Sequence, residues 1–326
     1  MKTRSFGMFR FARALGFAVL VSCSAPTAVG ATLVVAPGGD DTAAGNAGSP
    51  LRTVTAALEK ARRLTSPTTI LLTDGRHELT EPLVIGPEHP GLVIAAQPGA
   101  RPVLSGGVRI TGWTEDPGRA GLWKVTLPEV RSGTWYFQQL FVDGRRAQRA
   151  RTPNGDFFRT TSRLGTNTVI ELPFRSGDIL PSWAALPEAR LVVLMKWTDL
   201  QVPIREVDTG RNVARLPGGP RPYWMDETHA RYWVENVPDA LDAADEWYLD
   251  HTTGVLSYIA PPGTDPNRAV VVAPRLQTLL RVVGDTTKRE AVREPTFRDV
   301  IFAETDYPHR AEGWISPHAA VPVPAA

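Results

Sequence analysis

Residues Thr69–Gly107 read TILLTDGRHELTEPLVIGPEHPGLVIAAQPGARPVLSGG. Four short apolar runs stand in this stretch: Ile70–Leu72, Leu83–Ile85, Leu92–Ala95 and Pro102–Leu104. Each is bounded by Gly, Pro or Asp, residues that favour turns and end strands. The first and third runs lie about 22 residues apart and the second and fourth about 20, within the repeat lengths of solenoids. This rhythm predicts a coil of short strands in which the first run stacks on the third and the second on the fourth, a parallel β-helix. An ordinary β-sandwich of short strands is the alternative.

The chain has 326 residues, room for two or three domains at roughly 100–200 residues each. Hydrophobic residues make 42% and charged residues 21%, which are globular values. With 28 Gly and 29 Pro, the composition suits a turn-dense β protein better than a helical one. No interior run reaches the about 18 apolar residues of a membrane-spanning helix.

The N-terminus reads as an export leader over residues 1–31. Lys2, Arg4, Arg10 and Arg13 precede the short apolar segment Ala14–Val21, and small residues follow at Val29–Ala31, the order of a signal peptide. The sole cysteine, Cys23, lies in Leu20-Val21-Ser22-Cys23, which resembles a bacterial lipobox and makes Cys23 a candidate for lipidation. A chance cysteine in a secretory signal is the alternative. The expected location is secreted, periplasmic or cell-surface in a bacterium, with membrane attachment only through that lipid. The rest of the chain has no cysteine, so it has no disulfide framework, thiolate metal site or cysteine nucleophile. The whole chain is +2, but the leader holds four basic and no acidic residues; 32 basic against 34 acidic remain, a net of −2. Nothing in that balance suggests a nucleic-acid partner.

Leu33–Ala36 reads as a strand. The Gly-rich loop from Pro37 to Pro50 lacks the Lys-Ser/Thr of a phosphate loop and the spacing of a dinucleotide fingerprint. One helix is expected over residues 53–64, with Leu51, Val54, Leu58, Ala61 and Leu64 on one stripe and Thr53 as N-cap. Its place before the first coil suits a solenoid cap. Residues 32–111 are therefore read as N-terminal coils with this capping helix. From about Trp113 the rhythm vanishes and eight of the nine Trp residues appear before Pro262. Residues 112–262 are read as an inserted antiparallel β domain, with a hairpin turning at Gly254. Residues 263–326 are read as returning coils, from the runs Ala269–Ala273, Leu279–Val283 and Phe297–Phe302. No capping helix follows, so the expectation is a chain truncated before its solenoid is closed.

Catalytic signals are sparse. There is no Gly-x-Ser-x-Gly elbow and no His-Glu-x-x-His helix. The six His residues are scattered, and no metal or cofactor is expected. Glu304 and Asp306 share one face if the segment is a strand, and a pair of carboxylates is what glycoside hydrolysis requires; a solvated acidic patch is the alternative. Most Trp residues sit in strand-like contexts and are expected in the core. Trp224, in the loop Arg221–Asp226, is the better candidate for stacking on a sugar.

Several motifs resemble a known family. Ala36–Asp41 through Ser49–Thr53, and Ser105–Gly107 through Gly112–Trp113, are similar to the start of bacterial right-handed parallel β-helix proteins. Gln139–Arg146 with Arg149-Ala150-Arg151-Thr152-Pro153-Asn154, and Tyr232–Asn236 through Glu246–Asp250, resemble the opening and closing of the insertion domain of glycoside hydrolase family 141 and its relatives. The resemblance implies an all-β fold, a right-handed parallel β-helix with an inserted antiparallel β domain, and an exported enzyme acting on fucosides or xylans. It implies polysaccharide or oligosaccharide as partner, with Arg151 and Asn154 beside Trp224, Glu304 and Asp306 as candidate carbohydrate contacts. Relatives tend to have His-Thr-Asp-Trp where this chain has Glu304-Thr305-Asp306-Tyr307, and their catalytic acids lie on later coils, so no catalytic residue is carried over. A non-catalytic carbohydrate-binding or cell-surface module is the second expectation. A polysaccharide lyase, which often uses Ca²⁺ held by clustered carboxylates, is the third.

Overall fold

The computed structural model describes residues 30–64, 67–164, 170–196, 198–217 and 228–307, together with the backbone of 314–315. The leader with Cys23, the loop with Trp224, and the sequence past Tyr307 apart from that short strand lie outside these residues. The described chain is mostly β-strand with very little helix, an all-β fold. Among the described residues no helix is long and apolar enough to cross a membrane.

Three parallel ladders form one part of the molecule. The first stacks Ala31–Val35, Thr68–Leu72, Val93–Ala96 and Thr296–Arg298. The second stacks Gly75–Glu78, Pro102–Ser105 and Ile301–Ala303. The third pairs Leu83–Ile85 with Leu280–Val282. After Ala31–Val35 in the first ladder and the helix, the chain visits the ladders in the order first, second, third, repeats that order, and then returns to the first and second. Between Ser105 and Leu280, on the second circuit, it leaves the ladders altogether.

Registry explains the shared core. Leu33, Ile70, Ile94 and Phe297 stand opposite one another down the first ladder, so like side chains stack on like. Ile70, Leu72, Ile85, Ile94 and Leu104 are fully buried, each side chain removing apolar surface worth about 1.5–3 kcal/mol from water. The helix Val54–Ala61 adds Val54, Ala57, Leu58 and Ala61 to the same core. Thr53 caps it, accepting from the Ala56 amide at 3.1 Å, and Asp41 accepts from the amides of Arg52 and Thr53. The Gly-rich loop thus clips the helix start in place.

The stacking differs from the sequence reading in one respect. The first and third runs do stack, but Leu83–Ile85 does not stack on Pro102–Leu104. Its partner is Leu280–Val282, some 200 residues later. Pro102–Ser105 rests instead on Gly75–Glu78, a Gly-Arg-His-Glu strand with no apolar run to announce it.

The remaining sheets are antiparallel, save for a two-residue parallel pairing of Gln148–Arg149 with Glu246–Trp247. One sheet orders Gln148–Arg149, Glu246–Asp250, Val255–Ile259, Leu122–Thr126 and Thr114–Glu115. A second orders Arg145–Arg146, Phe141–Val142, Val271–Pro274 and Gly107–Arg109. These two share a core around Trp113, Trp135, Phe137, Trp247 and Tyr258. Strands Arg190–Leu194, Asp199–Pro203 and Arg231–Glu235 head another sheet, over a core that includes Trp183, Leu191 and Tyr232. The hairpin at residues 246–259 turns at Gly254, φ 72°. The run Ala269–Ala273, read as a returning coil, is a correction: Val271–Pro274 pairs antiparallel on both sides. Its residues are buried on both faces, so the apolar run looks the same in either kind of sheet.

Candidate functional site

A cleft of about 400 Å³ opens where the antiparallel sheets meet the segment that follows the last parallel strand. Gln138 and Gln139 reach it from the approach to Phe141–Val142, and Arg146 from the hairpin after that strand. Arg149 comes from the strand Gln148–Arg149, Glu235 from the end of Arg231–Glu235, and Asp245 from the lead-in to Glu246–Asp250. Tyr307 closes the far side. Polar side chains thus converge in one concavity, a more polar lining than that of most small-ligand pockets.

Arg149 is the hub. Its side chain is 8% exposed, because it shares the inward face with Ala147, two residues earlier on the same extended segment. Nη2 donates to the Tyr136 hydroxyl at 2.8 Å and Nη1 to Glu235 Oε1 at 3.4 Å. The guanidinium carbon lies 5.9 Å from the Trp247 ring centre. Burial works against the charge, but Tyr136, Glu235 and Glu188 around the guanidinium outweigh it and raise its pKa above the ordinary value. Burial pushes the Tyr136 phenol up, so it stays neutral. Two buried polar atoms of residues lining the cleft, Arg149 Nε and Gln138 Oε1, have no partner among the described residues.

The carboxyl groups differ in setting. Glu235 is held through both oxygens, by Arg149 and by Trp233 Nε1 at 3.1 Å. Asp245, in left-handed backbone at φ 69°, accepts from the Tyr258 hydroxyl at 2.8 Å. Asp306 is tied through its amide to the Leu276 carbonyl at 2.8 Å, and its Oδ1 takes a long bond from the Gln138 amide at 3.5 Å. Burial raises the Asp306 pKa above the ordinary carboxylate value, against the Gln138 and Tyr307 amides and Arg149, which lower it. A carboxyl group raised in this way is suited to give up a proton to a leaving group.

The candidates read from sequence fall in different places. Asp306 does not itself line the cleft; it accepts from the amide of Gln138, which does. Glu304 does not share its face: backbone at φ 63° breaks the strand alternation, and the Glu304 carboxylate turns inward to Arg76 and Ser105. Arg151 stacks over Trp233 at 4.5 Å and donates to the carbonyls of Pro153 and Asp156, alongside the cleft rather than in it. Asn154 is exposed and bonds Asp242 at 2.7 Å. Trp113, Trp135 and Trp247 are buried, as core. Arg149, Glu235 and Gln138 were not singled out. Arg149 sits in a run of arginines that reads as solvated surface, and only its two-residue spacing from Ala147 hinted at an inward side chain. Among the described residues no group of three His, Cys, Asp or Glu side chains is placed to hold a metal ion.

A solved structure described as a glycoside hydrolase matches this chain with a TM-score of 0.71 and 26% identity. The match covers 85% of this chain and 51% of that one. The fold is glycoside hydrolase-like. The chain therefore spans about half the length of that neighbour. A second structure, XylC in complex with xylose, matches with a TM-score of 0.33 and 13% identity over 77% of this chain and 33% of its own. No family model and no curated protein matches the chain.

Proposed function

We propose that this protein is an exported, polysaccharide-degrading glycoside hydrolase of the family 141 type and that the polar cleft is one of its sugar subsites. The three parallel ladders are read as the faces of a right-handed parallel β-helix, and the antiparallel sheets as its inserted domain. The observation that carries the proposal is the convergence of Asp306 and Tyr307, at the end of the last parallel strand, with Gln138, Arg149 and Glu235. That convergence lies on a scaffold like that of a glycoside hydrolase. Sugar hydroxyls both donate and accept, which matches a lining of amides, a guanidinium and carboxylates. In this reading Asp306 and Glu235 are polar contacts of the subsite, Glu235 with its charge held by Arg149.

The test is direct. Residues 32–326, applied to a glycan array and then to aryl fucosides and xylan, are expected to bind a glycan and to lose that binding in R149M. D306N is expected to weaken that binding. Binding with no turnover in the wild type would favour the non-catalytic module. Chelator-sensitive release of unsaturated sugars would favour a lyase. No binding to any glycan would sink the sugar-site reading. Export is tested separately, by fractionating cells and labelling with radioactive palmitate with Cys23 present or replaced by Ser.

A further inference from the structure

We infer that Glu304 is a positioning residue that sets the wall of the cleft, an inference that rests on the sugar-site reading above. The strand Ile301–Ala303 ends one residue before Glu304. There the backbone turns left-handed, φ 63°, a conformation uncommon for a residue with a side chain. The Glu304 side chain is 2% exposed, so it does not meet a ligand in the cleft. Its carboxylate is held from two sides: by the Arg76 guanidinium and by the Ser105 hydroxyl, which donates at 2.5 Å. Ser105 Oγ in turn accepts from the Gly107 amide at 3.2 Å. Arg76 and Ser105 stand on the two earlier strands of the second ladder. One carboxylate therefore ties all three strands of that ladder together.

The same point is a crossing of chain segments. The Gly106 amide donates to the Ala303 carbonyl at 3.2 Å, and the Gly106 carbonyl accepts from the Arg275 and Leu276 amides at 2.8 and 2.9 Å. A Cβ at Gly106 would lie 2.6 Å from Leu279 Cδ2 and 3.2 Å from the Glu304 carbonyl oxygen, so any larger residue would have to push the Leu279 side chain aside and crowd the turn. The segment leaving the ladders, the segment returning to them and the segment coming off the last strand all meet here. Two residues beyond Glu304, Asp306 bonds the Leu276 carbonyl and receives the Gln138 amide, and Tyr307 lines the cleft. A buried charge with its partners in place has one low-energy setting, because withdrawing a partner leaves the charge uncompensated. The Glu304 clasp thus fixes the turn that delivers Asp306 and Tyr307.

Glu304→Gln keeps the volume and an acceptor for Ser105 but removes the charge opposite Arg76. Hydrogen exchange at the Asp306 and Gln138 amides is expected to quicken about tenfold, and oligosaccharide Kd to rise about tenfold, each a change of about 1.4 kcal/mol. The Thr296 amide, bonded to the Leu92 carbonyl at 2.9 Å on the neighbouring ladder, is expected to hold. If Glu304→Gln fails to fold, Ser105→Ala removes one donor without stranding a charge and is expected to loosen the same two amides to a lesser degree. Equal quickening at Thr296 and Asp306 would reduce Glu304 to a general structural contact and overturn the proposal, as would unchanged exchange at Asp306. The exchange experiment needs no sugar. A wild type that binds no glycan would therefore refute the sugar site, while loosening confined to Asp306 and Gln138 would still establish the clasp.

Discussion

The parallel ladders and the antiparallel sheets between Gly107 and Pro274 are both made of short buried strands, but they treat polar groups differently. In the ladders, columns such as Leu33, Ile70, Ile94 and Phe297 repeat one apolar side chain from strand to strand. Among the buried polar residues there, Ser105 donates to Glu304 across the ladder, and His77 Nε2 bonds the Thr73 carbonyl while its Nδ1 has no partner among the described residues. The sheets that follow Gly107 bury Arg149 and Glu246 beside aromatic rings and strand ends, and they leave atoms such as Arg149 Nε, Glu246 Oε1 and Gln138 Oε1 without a partner among the described residues. Of the eight buried side-chain atoms without a partner among the described residues, one, His77 Nδ1, belongs to the ladders and seven to the antiparallel region. The repeating part buries few polar groups, and the non-repeating part holds nearly all of the incompletely paired ones.

The sharpest way to break this contrast is Trp247→Ala. Trp247 is fully buried, packs on Phe137 with ring centres 5.8 Å apart, and donates to the Ala147 carbonyl at 3.3 Å. Its loss is expected to cost about 3–5 kcal/mol, read by urea unfolding, and to abolish glycan binding through Arg149, which lies over its ring. Ile94→Ala, at the centre of an apolar column, is expected to cost about 2–5 kcal/mol. Hydrogen exchange should show loss of protection across the first ladder while the hairpin at residues 246–259 keeps its own. Equal loss in both regions would mean that the two cores unfold as one unit.

Smaller changes sharpen the comparison. Thr53→Ala removes the helix cap, with an expected loss of about 1 kcal/mol, visible as a lower Tm and no change in sugar affinity. The smallest effect is one of pH. Burial pushes the His77 imidazole below its ordinary value, against the Thr73 carbonyl, which raises it. The unfolded chain therefore takes up this proton first as pH falls through the unperturbed 6.5. The stability that depends on neutral His77 is present above that pH and drains away below it. The urea midpoint is expected to drop between pH 7.5 and 5.5, and to drop less in His77→Phe.

Much of the scaffold could be read from local pattern. The apolar runs at Ile70 and Leu92, the Thr53 cap and the Gly254 turn each follow from short-range preference, and each stands in the structure. The third ladder could not be read this way: Leu83–Ile85 waits for a partner that arrives after the antiparallel sheets. Gly75–Glu78 was hidden because it is an edge strand, paired only with Pro102–Ser105, and it buries a single side chain, His77, rather than an apolar run. The pairing of Glu304 with Asp306 failed because one left-handed residue inverts the facing of everything after it. The cleft itself was legible only in fragments, as Arg149 and Glu235 lie 86 residues apart in sequence.

The sequence by itself determined that short strands with turn-forming ends would make an all-β molecule with one short amphipathic helix, because strand length, turn chemistry and side-chain period are local properties. Only the tertiary structure decided which strands stack, which charges are buried and where the cleft lies. Those depend on the free energy of desolvating side chains against partners distant in sequence, such as Glu304 against Arg76 and Ser105, and no local window contains both members of such a pair.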